Sequence, residues 1–97
     1  MLPSVKEVKT LTELETLVHT SPGVVLSFWA PWCSPTTNFK PVYERIAKAC
    51  QSEMITFVSV NTDDATEIAK KYKVDSLPQF MFYYQRKEYK RVQITEK

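Results

Sequence analysis

The sequence is poor in glycine, because its 97 residues include only Gly23, whereas average usage of roughly 7% would supply about seven. We therefore expect proline, asparagine, aspartate and serine to make the turns. Long apolar runs are missing as well. No stretch approaches the roughly 18 residues that a membrane-spanning helix needs, so no membrane association is expected.

Cysteine and histidine are also scarce. The two cysteines, Cys33 and Cys50, are too few for the disulfide framework of a small secreted domain. The first ten residues lack the apolar segment and cleavage site of a secretory signal. Both absences favour a reducing compartment and a cytoplasmic location. His19 is the single histidine. One histidine and two distant cysteines do not form a set of metal ligands, so no metal or other cofactor is expected.

An excess of charge of one sign is absent too. The formal net charge is +2, with 43% hydrophobic and 25% charged residues, which is typical of a globular domain and gives no argument for nucleic acid binding. The basic residues near the C-terminus, Arg86, Lys87, Lys90 and Arg91, are typical of an edge strand protected against aggregation. The length fits one domain, residues 1–97.

The hydrophobic pattern predicts strands and helices in the order β-α-β-α-β-α-β-β. The predicted strands cover residues 5–8, 24–29, 55–60, 80–84 and 88–94, the last two as an antiparallel hairpin. Alternation of strands with helices indicates an α/β fold with a parallel core and one antiparallel edge.

Each predicted helix has its own signal. Thr10 and Glu13 form a capping-box pattern that opens the first helix. The second helix spans 34–51, includes Pro41, and has an apolar stripe of Phe39, Val42, Ile46 and Ala49. Asp63 or Asp64 is the predicted cap of a third helix that runs to about residue 72.

The segment with the most chemical information is Trp29-Ala30-Pro31-Trp32-Cys33-Ser34-Pro35-Thr36, where the central strand gives way to the long helix. The pattern places Cys33 at the helix N-terminus. Unpaired backbone amides and the helix dipole favour a thiolate at such a position, so Cys33 is expected to be nucleophilic.

This segment resembles the active-site motif of the thioredoxin family. The resemblance extends over residues 5–94 and includes Pro41, the acidic turn 61–64 and the segment 72–78. It implies a three-layer fold with a mixed sheet of about five strands in the order 1-3-2-4-5. It also implies that Pro78 is a cis proline against Cys33, and that a client chain binds to the residues Trp32, Pro35, Ser76, Leu77 and Pro78.

The sequence departs from that family at three positions. Thr36 occupies the place of the second, resolving cysteine, Ser27 that of a buried aspartate, and Ser59 that of a frequent lysine. Cys50 is not expected to resolve a disulfide, because 17 helical residues at roughly 1.5 Å each put it about 25 Å from Cys33. Cys33 and Thr36 are thus the candidate catalytic residues. The Thr36 hydroxyl has three interpretations: a hydrogen-bond donor to the thiolate, an inert group, or an engineered replacement that traps mixed disulfides.

The resemblance and its departures together suggest a monothiol protein. Cys33 would form mixed disulfides with client thiols or disulfides, and an external thiol such as glutathione would resolve them. The alternative is a non-catalytic interaction module on the same fold, so enzymatic activity is left open.

The sequence has no apolar stripe after its last strand, whereas the family fold ends in a helix there. We therefore expect part of the sheet to lack its usual cover. A homodimer, a helix from a partner, or a longer native protein would each account for this.

Overall fold

The computed structural model describes residues 5–50 and 52–93. Its elements follow the predicted order: β1 Val5–Glu7, α1 Leu11–Thr20, β2 Gly23–Trp29, α2 Ser34–Ala49, β3 Ile55–Asn61, α3 Thr66–Lys71, β4 Gln79–Tyr84 and β5 Lys87–Gln93. The α/β class is confirmed. Among the described residues, no helix is long and apolar enough to cross a membrane.

The five strands form one mixed sheet in the order β1-β3-β2-β4-β5, as the resemblance implies. β3 runs parallel to both β1 and β2, whereas β4 runs antiparallel to β2 and to β5. The central strand β2 is buried over nearly its whole length. A nearly continuous β-prone run is typical of such a strand, because helices cover both of its faces.

Alternation along β2 divides the core into two clusters. Val24, Leu26 and Phe28 pack on one face with Leu14 of α1 and Ile68 of α3. On the opposite face, Val25 packs with Tyr43 and Ala47 of α2 and with Phe57 of β3. The sheet is therefore the middle of three layers, with α1 and α3 on one side and α2 on the other.

The capping box of α1 forms with one difference. Thr10 is the N-cap, and its hydroxyl accepts a hydrogen bond from the Glu13 amide at 3.2 Å. The Glu13 carboxylate, however, accepts a bond from the Lys9 amide at 3.3 Å rather than from the cap residue itself. The predicted start of the helix is confirmed.

The predicted apolar stripe of α2 is confirmed at Phe39, which packs on the core, and is wrong at Ile46 and Ala49. Its buried residues are Thr36, Tyr43 and Ala47, whereas Ile46 is 43% exposed and Ala49 is also exposed. The hydroxyl of Tyr43 explains the difference, because it lies 2.9 Å from the Val58 carbonyl oxygen and 3.1 Å from that of Val25. A buried tyrosine is favourable when its hydroxyl has such partners, and an apolar pattern does not detect it.

The predicted cap of α3 is wrong as well. The helix begins at Thr66 after Ala65, and no side chain caps it. The preceding turn is instead organised by Asn61, whose side-chain oxygen accepts the Asp63 amide at 3.0 Å. The backbone oxygen of Asn61 accepts the amides of Asp64 and Ala65. Asparagine often makes such turns with its own side chain.

The expectation that residues such as asparagine replace glycine in turns is confirmed at Asn61 but not at the β4–β5 hairpin. The β4–β5 hairpin turns through Gln85 and Arg86, which have φ angles of 50° and 69°. Lys73 has a φ of 56°. Ordinary side chains therefore adopt the left-handed backbone that glycine usually supplies. Gly23 is not used for a left-handed turn, but a Cβ added to it would lie 3.2 Å from the Met54 carbonyl oxygen.

The sheet face that α2 covers also carries exposed apolar side chains. Phe82 and Tyr84 follow Phe80 at alternate positions of β4 and so share its face; they are 41% and 54% exposed. A groove of about 450 Å³ lies beside them and is also lined by Met54, Ile55 and Tyr89. The expectation about a final helix concerns residues beyond Gln93, which lie outside the described part.

Candidate active site

Three loops meet at the end of the sheet where β2 and β3 finish and β4 starts, which is called the active-site edge below. β2 and β3 are parallel, and their last residues, Trp29 and Asn61, are paired. β4 is antiparallel to β2, so its first residue, Gln79, lies opposite Phe28 at the same edge. The topology therefore brings the 30–33 turn, the 62–64 turn and the loop before Gln79 together, as expected for a site at the carboxyl ends of parallel strands.

Cys33 is the N-cap residue of α2, as predicted, and it is partly exposed. Its backbone amide donates to the Ala30 carbonyl oxygen at 3.1 Å, and its own carbonyl oxygen accepts the amides of Thr36 and Thr37 at 3.1 Å each. The thiol therefore lies where the amide groups of a 16-residue helix begin.

Thr36 lies in the first turn of α2 and is only 3% exposed. Its hydroxyl lies 2.7 Å from the Cys33 carbonyl oxygen and 3.0 Å from that of Ala30. The same oxygen accepts a hydrogen bond from the Ala30 amide at 3.3 Å. All these bonds are to backbone atoms. The interpretation in which the Thr36 hydroxyl bonds the sulfur does not match these contacts.

The 62–64 turn contributes a residue that the sequence analysis did not assign to the site. Trp32 is 69% exposed, and its indole Nε1 donates a hydrogen bond to Oδ1 of Asp63 at 3.0 Å. Thr62 joins the same edge through its amide, which donates to the Trp29 carbonyl oxygen at 2.9 Å. The sequence could have indicated Asp63 as a site residue, because the turns that follow two neighbouring parallel strands, here β2 and β3, lie next to each other.

Trp29, the last residue of β2, contacts α2 at this edge. The Nζ of Lys40, one turn beyond Thr36, lies 4.3 Å from the centroid of the Trp29 ring. At this distance an ammonium group is attracted to an aromatic face. The contact holds the end of β2 against the first turns of α2.

The predicted client-binding residues have mixed exposure. Pro35 and Ser76 are exposed, Leu77 is half-buried and Pro78 is buried. The peptide bond between Leu77 and Pro78 is cis. The pairing of β2 with β4 brings Ser76, Leu77 and Pro78 to the same edge as Cys33, and Pro35 lies there as part of the first turn of α2.

Arg91 of β5 anchors the segment that leads into this loop. Its guanidinium group donates to the carbonyl oxygens of Tyr72 and Lys73 at 2.9 and 3.0 Å. The same group pairs with the Glu88 carboxylate at 3.2 Å. The sequence pattern indicates only edge-strand protection at Arg91, and no spacing pattern indicates this contact.

Cys50 does not join the site. It is exposed and forms the C-cap of α2, at the opposite end of the helix from Cys33. α2 continues without a break through Pro41, so the separation of about 25 Å expected from the helical rise applies. A disulfide needs Cα atoms within roughly 7 Å of each other, and an intramolecular bond between the two is excluded. Within residues 5–50 and 52–93, no three His, Cys, Asp or Glu side chains cluster around a common point that could hold a metal ion.

The sheet order, the helix arrangement and a cysteine at the start of α2 define a protein of the thioredoxin fold class. Comparison with known proteins supports this at the level of sequence, since the model of the Thioredoxin family matches residues 5–97. The chain is 34% identical over 87 residues to the thioredoxin of Mycoplasma genitalium, covering 90% of this chain and 83% of that protein. It is 31% identical to the Neurospora crassa thioredoxin, covering 86% of this chain but only 66% of that protein.

Solved structures agree with this assignment. A cysteine-to-serine mutant of Entamoeba histolytica thioredoxin superposes with a TM-score of 0.85 at 34% identity, covering 95% of this chain and 88% of that one. Plasmodium falciparum thioredoxin gives the same TM-score at 25% identity, with coverage of 91% and 84%. The chain belongs to the thioredoxin family. Membership of this family suggests thiol–disulfide oxidoreductase chemistry.

Proposed function

We propose that this chain is a monothiol member of the thioredoxin family that forms mixed disulfides with client proteins through Cys33. The observation that carries the proposal is the arrangement at the start of α2. Cys33 is partly exposed there, whereas the buried residue three positions later, Thr36, has a hydroxyl bonded to backbone atoms. A hydroxyl forms no disulfide, and Cys50 lies too far away to replace it.

The proposed exchange has two steps. The Cys33 thiolate attacks one sulfur of a client disulfide, so that a bond forms between Cys33 and the client while the second client sulfur leaves as a thiolate. A thiol from outside the chain then attacks the mixed disulfide. If a different thiol of the client attacks the client sulfur, Cys33 is released as a thiol and the client disulfide is rearranged, whereas attack by the thiolate that has just left restores the original disulfide. If glutathione attacks Cys33, the client leaves reduced and Cys33 becomes glutathionylated.

The client would bind along the edge described above. Trp32 presents an exposed ring that is hydrogen-bonded to Asp63, and Pro35 is exposed in the first turn of α2. Across the edge, the backbone groups of Ser76 and Leu77 are available to pair with an extended client segment next to Pro78. The proposed partners are therefore protein thiols and disulfides together with glutathione, in the reducing cytoplasm.

The test separates turnover from adduct formation. In an insulin-reduction assay with NADPH and a thioredoxin reductase, we expect no sustained NADPH consumption, because no thiol within the chain resolves the mixed disulfide. With a disulfide reagent in excess, the chain should form an adduct at Cys33 that persists until an external thiol is added. Cys33→Ser should abolish this adduct, and the matched variant Cys50→Ser should retain it.

Two outcomes would contradict the proposal. Robust NADPH-linked turnover by the purified chain would exclude the monothiol mechanism. A Cys33 that forms no adduct under conditions in which the exposed Cys50 reacts would instead favour the alternative, an interaction module that uses the same edge without chemistry.

A further inference from the structure

The Thr36 hydroxyl lies between two backbone segments that flank the thiol. It faces the carbonyl oxygens of Ala30 and Cys33 at 3.0 and 2.7 Å, and it accepts the Ala30 amide at 3.3 Å. A hydroxyl has one proton and two lone pairs. It therefore donates to one carbonyl at a time while it accepts from the Ala30 amide, and its hydrogen-bonding capacity is largely used by the backbone.

These contacts close a short ring of backbone around Cys33. The Cys33 amide donates to the Ala30 carbonyl oxygen at 3.1 Å, and the Thr36 amide donates to the Cys33 carbonyl oxygen at 3.1 Å. The Thr36 hydroxyl connects Thr36, the last residue of this ring, to the backbone of Ala30, the first. With Thr36 only 3% exposed, water has little access to compete for these backbone groups, so the hydroxyl is the partner on which the Ala30 amide depends.

We propose that Thr36 is a positioning residue for Cys33, because its hydroxyl closes the 30–33 turn and fixes the thiol at the first amides of α2. The inference rests on the proposed function, since it concerns the reactivity of the same thiol. The physical reason is that a helix N-terminus favours an anion only within its first turn. A turn that moves freely would let the sulfur leave that position.

The neighbouring residue provides a matched control. The hydroxyl of Thr37 donates to the Ser34 carbonyl oxygen at 3.1 Å and has no contact with the carbonyl oxygens of Ala30 and Cys33 among those described. Thr36→Val and Thr37→Val therefore make the same chemical change one residue apart, and only the first removes the closure of the turn. Thr36→Ser keeps a hydroxyl at the same position.

The experiment measures the second-order rate of Cys33 alkylation by iodoacetamide between pH 5 and pH 10. Cys50→Ser serves as the background, so that the second thiol does not react. We expect Thr36→Val to slow alkylation about tenfold at neutral pH and to move the rise of the rate to higher pH. Thr36→Ser and Thr37→Val should remain within about twofold of the background protein, as expected when no turn-closing bond is lost. A merely structural role would lower the melting temperature without moving the pH profile.

Amide hydrogen exchange keeps the inference falsifiable if Thr36→Val fails to fold. The Ala30 amide should be protected from exchange in the parent chain and in Thr36→Ser. If the Ala30 amide of the parent exchanged at the rate of an amide with no hydrogen bond, the inference would be overturned. Equal pH profiles for folded Thr36→Val and its background would also overturn it while leaving the proposed function intact. A parent Cys33 that forms no mixed disulfide at all would overturn the proposed function, and the positioning role with it.

Discussion

Ser27 and Ser59 lie directly opposite each other in β2 and β3, and both are buried, with 7% and 5% of their surface exposed. Ser27 is two residues from Val25, which packs against α2, so alternation along the strand places both serines on the face that α2 covers. The two positions that depart from the family pattern of aspartate and lysine are therefore neighbours beneath α2, the helix whose N-cap is Cys33.

This relationship predicts a coupled rescue of turnover. Thr36→Cys restores a second thiol at the dithiol spacing and should allow an intramolecular disulfide with Cys33. Without a buried acid to accept a proton, its insulin-reductase rate should stay low. Adding Ser27→Asp should raise the rate only in the Thr36→Cys background, because an unpaired buried carboxylate costs free energy and serves no resolving thiol in the parent. Similar effects of Ser27→Asp in both backgrounds would show that the two sites are independent.

The hairpin turn predicts a stabilising substitution. Tyr84 pairs with Lys87 across the two-residue loop, and both loop residues have positive φ, which is the geometry that prefers Asn-Gly. Replacing Gln85 by Asn and Arg86 by Gly should raise the free energy of unfolding by about 1 kcal/mol, because left-handed backbone costs an ordinary side chain roughly that much. Urea denaturation measures the change.

The control for this prediction is Lys90→Gly, in the strand of the same hairpin. It should lower the free energy of unfolding, because glycine adds disorder to the unfolded chain without relieving a strained residue. An unchanged or lower stability for the Asn-Gly variant would mean that contacts of Gln85 or Arg86 outweigh the backbone preference.

Tyr43 predicts a loss of stability in alkaline solution. Burial raises the pKa of its hydroxyl above the ordinary value of 10. Burial also raises the pKa of Tyr83 to about 12. Above pH 10 these tyrosines therefore bind fewer protons in the unfolded chain than in the folded one. Their contribution to the free energy of unfolding is fully present below that pH and is lost as the pH rises above it.

Tyr43→Phe tests this account by equilibrium denaturation between pH 8 and pH 11. At pH 8 it should cost about 1 kcal/mol for the lost hydrogen bonds, and above pH 10 its stability should fall less steeply than that of the parent. Tyr89→Phe, at a residue that is 79% exposed, should leave the steepness unchanged. Parallel curves for the parent and Tyr43→Phe would contradict the assignment.

The exposed apolar side chains beside α2 predict self-association. Phe82, Tyr84 and Ile55 lie around one groove, and apolar patches of this kind mark interaction surfaces. We expect sedimentation to show an average mass that increases with concentration, and 8-anilinonaphthalene-sulfonate to fluoresce with the chain. Phe82→Ser should reduce both signals, whereas Trp32→Ser, which removes an exposed aromatic ring at another edge, should not. A monomer that binds no dye would contradict this prediction.

The sequence predicted the parts of the fold that depend on long hydrophobic patterns. The buried run at β2 and the capping pattern at Thr10 were sufficient to place those elements, and the strand order followed from the family resemblance. The inward face of α2 was not predictable in the same way, because the burial of Tyr43 depends on two carbonyl oxygens that only the assembled sheet supplies. The hairpin between β4 and β5 was predicted, but the left-handed backbone of Gln85 and Arg86 was not, since neither residue type favours it.

The candidate site likewise has features that the sequence predicts and features that it does not. The position of Cys33 at the start of α2 follows from a strand-to-helix pattern within ten residues. The contacts of Thr36 with Ala30 and of Trp32 with Asp63 depend on side-chain direction after the chain has folded, and spacing alone does not specify them.

The position of β1 at the sheet margin has a consequence for how the chain acquires its structure. Val5 is paired only through β3, where its partner is Phe57, so more than half of the described chain separates the first strand from its hydrogen-bonding partner. Closing so long a loop is slow compared with forming a local hairpin. During synthesis from the N-terminus, the first strand must therefore wait until β3 has been made, and we expect its amides to be among the last to gain protection from exchange during refolding.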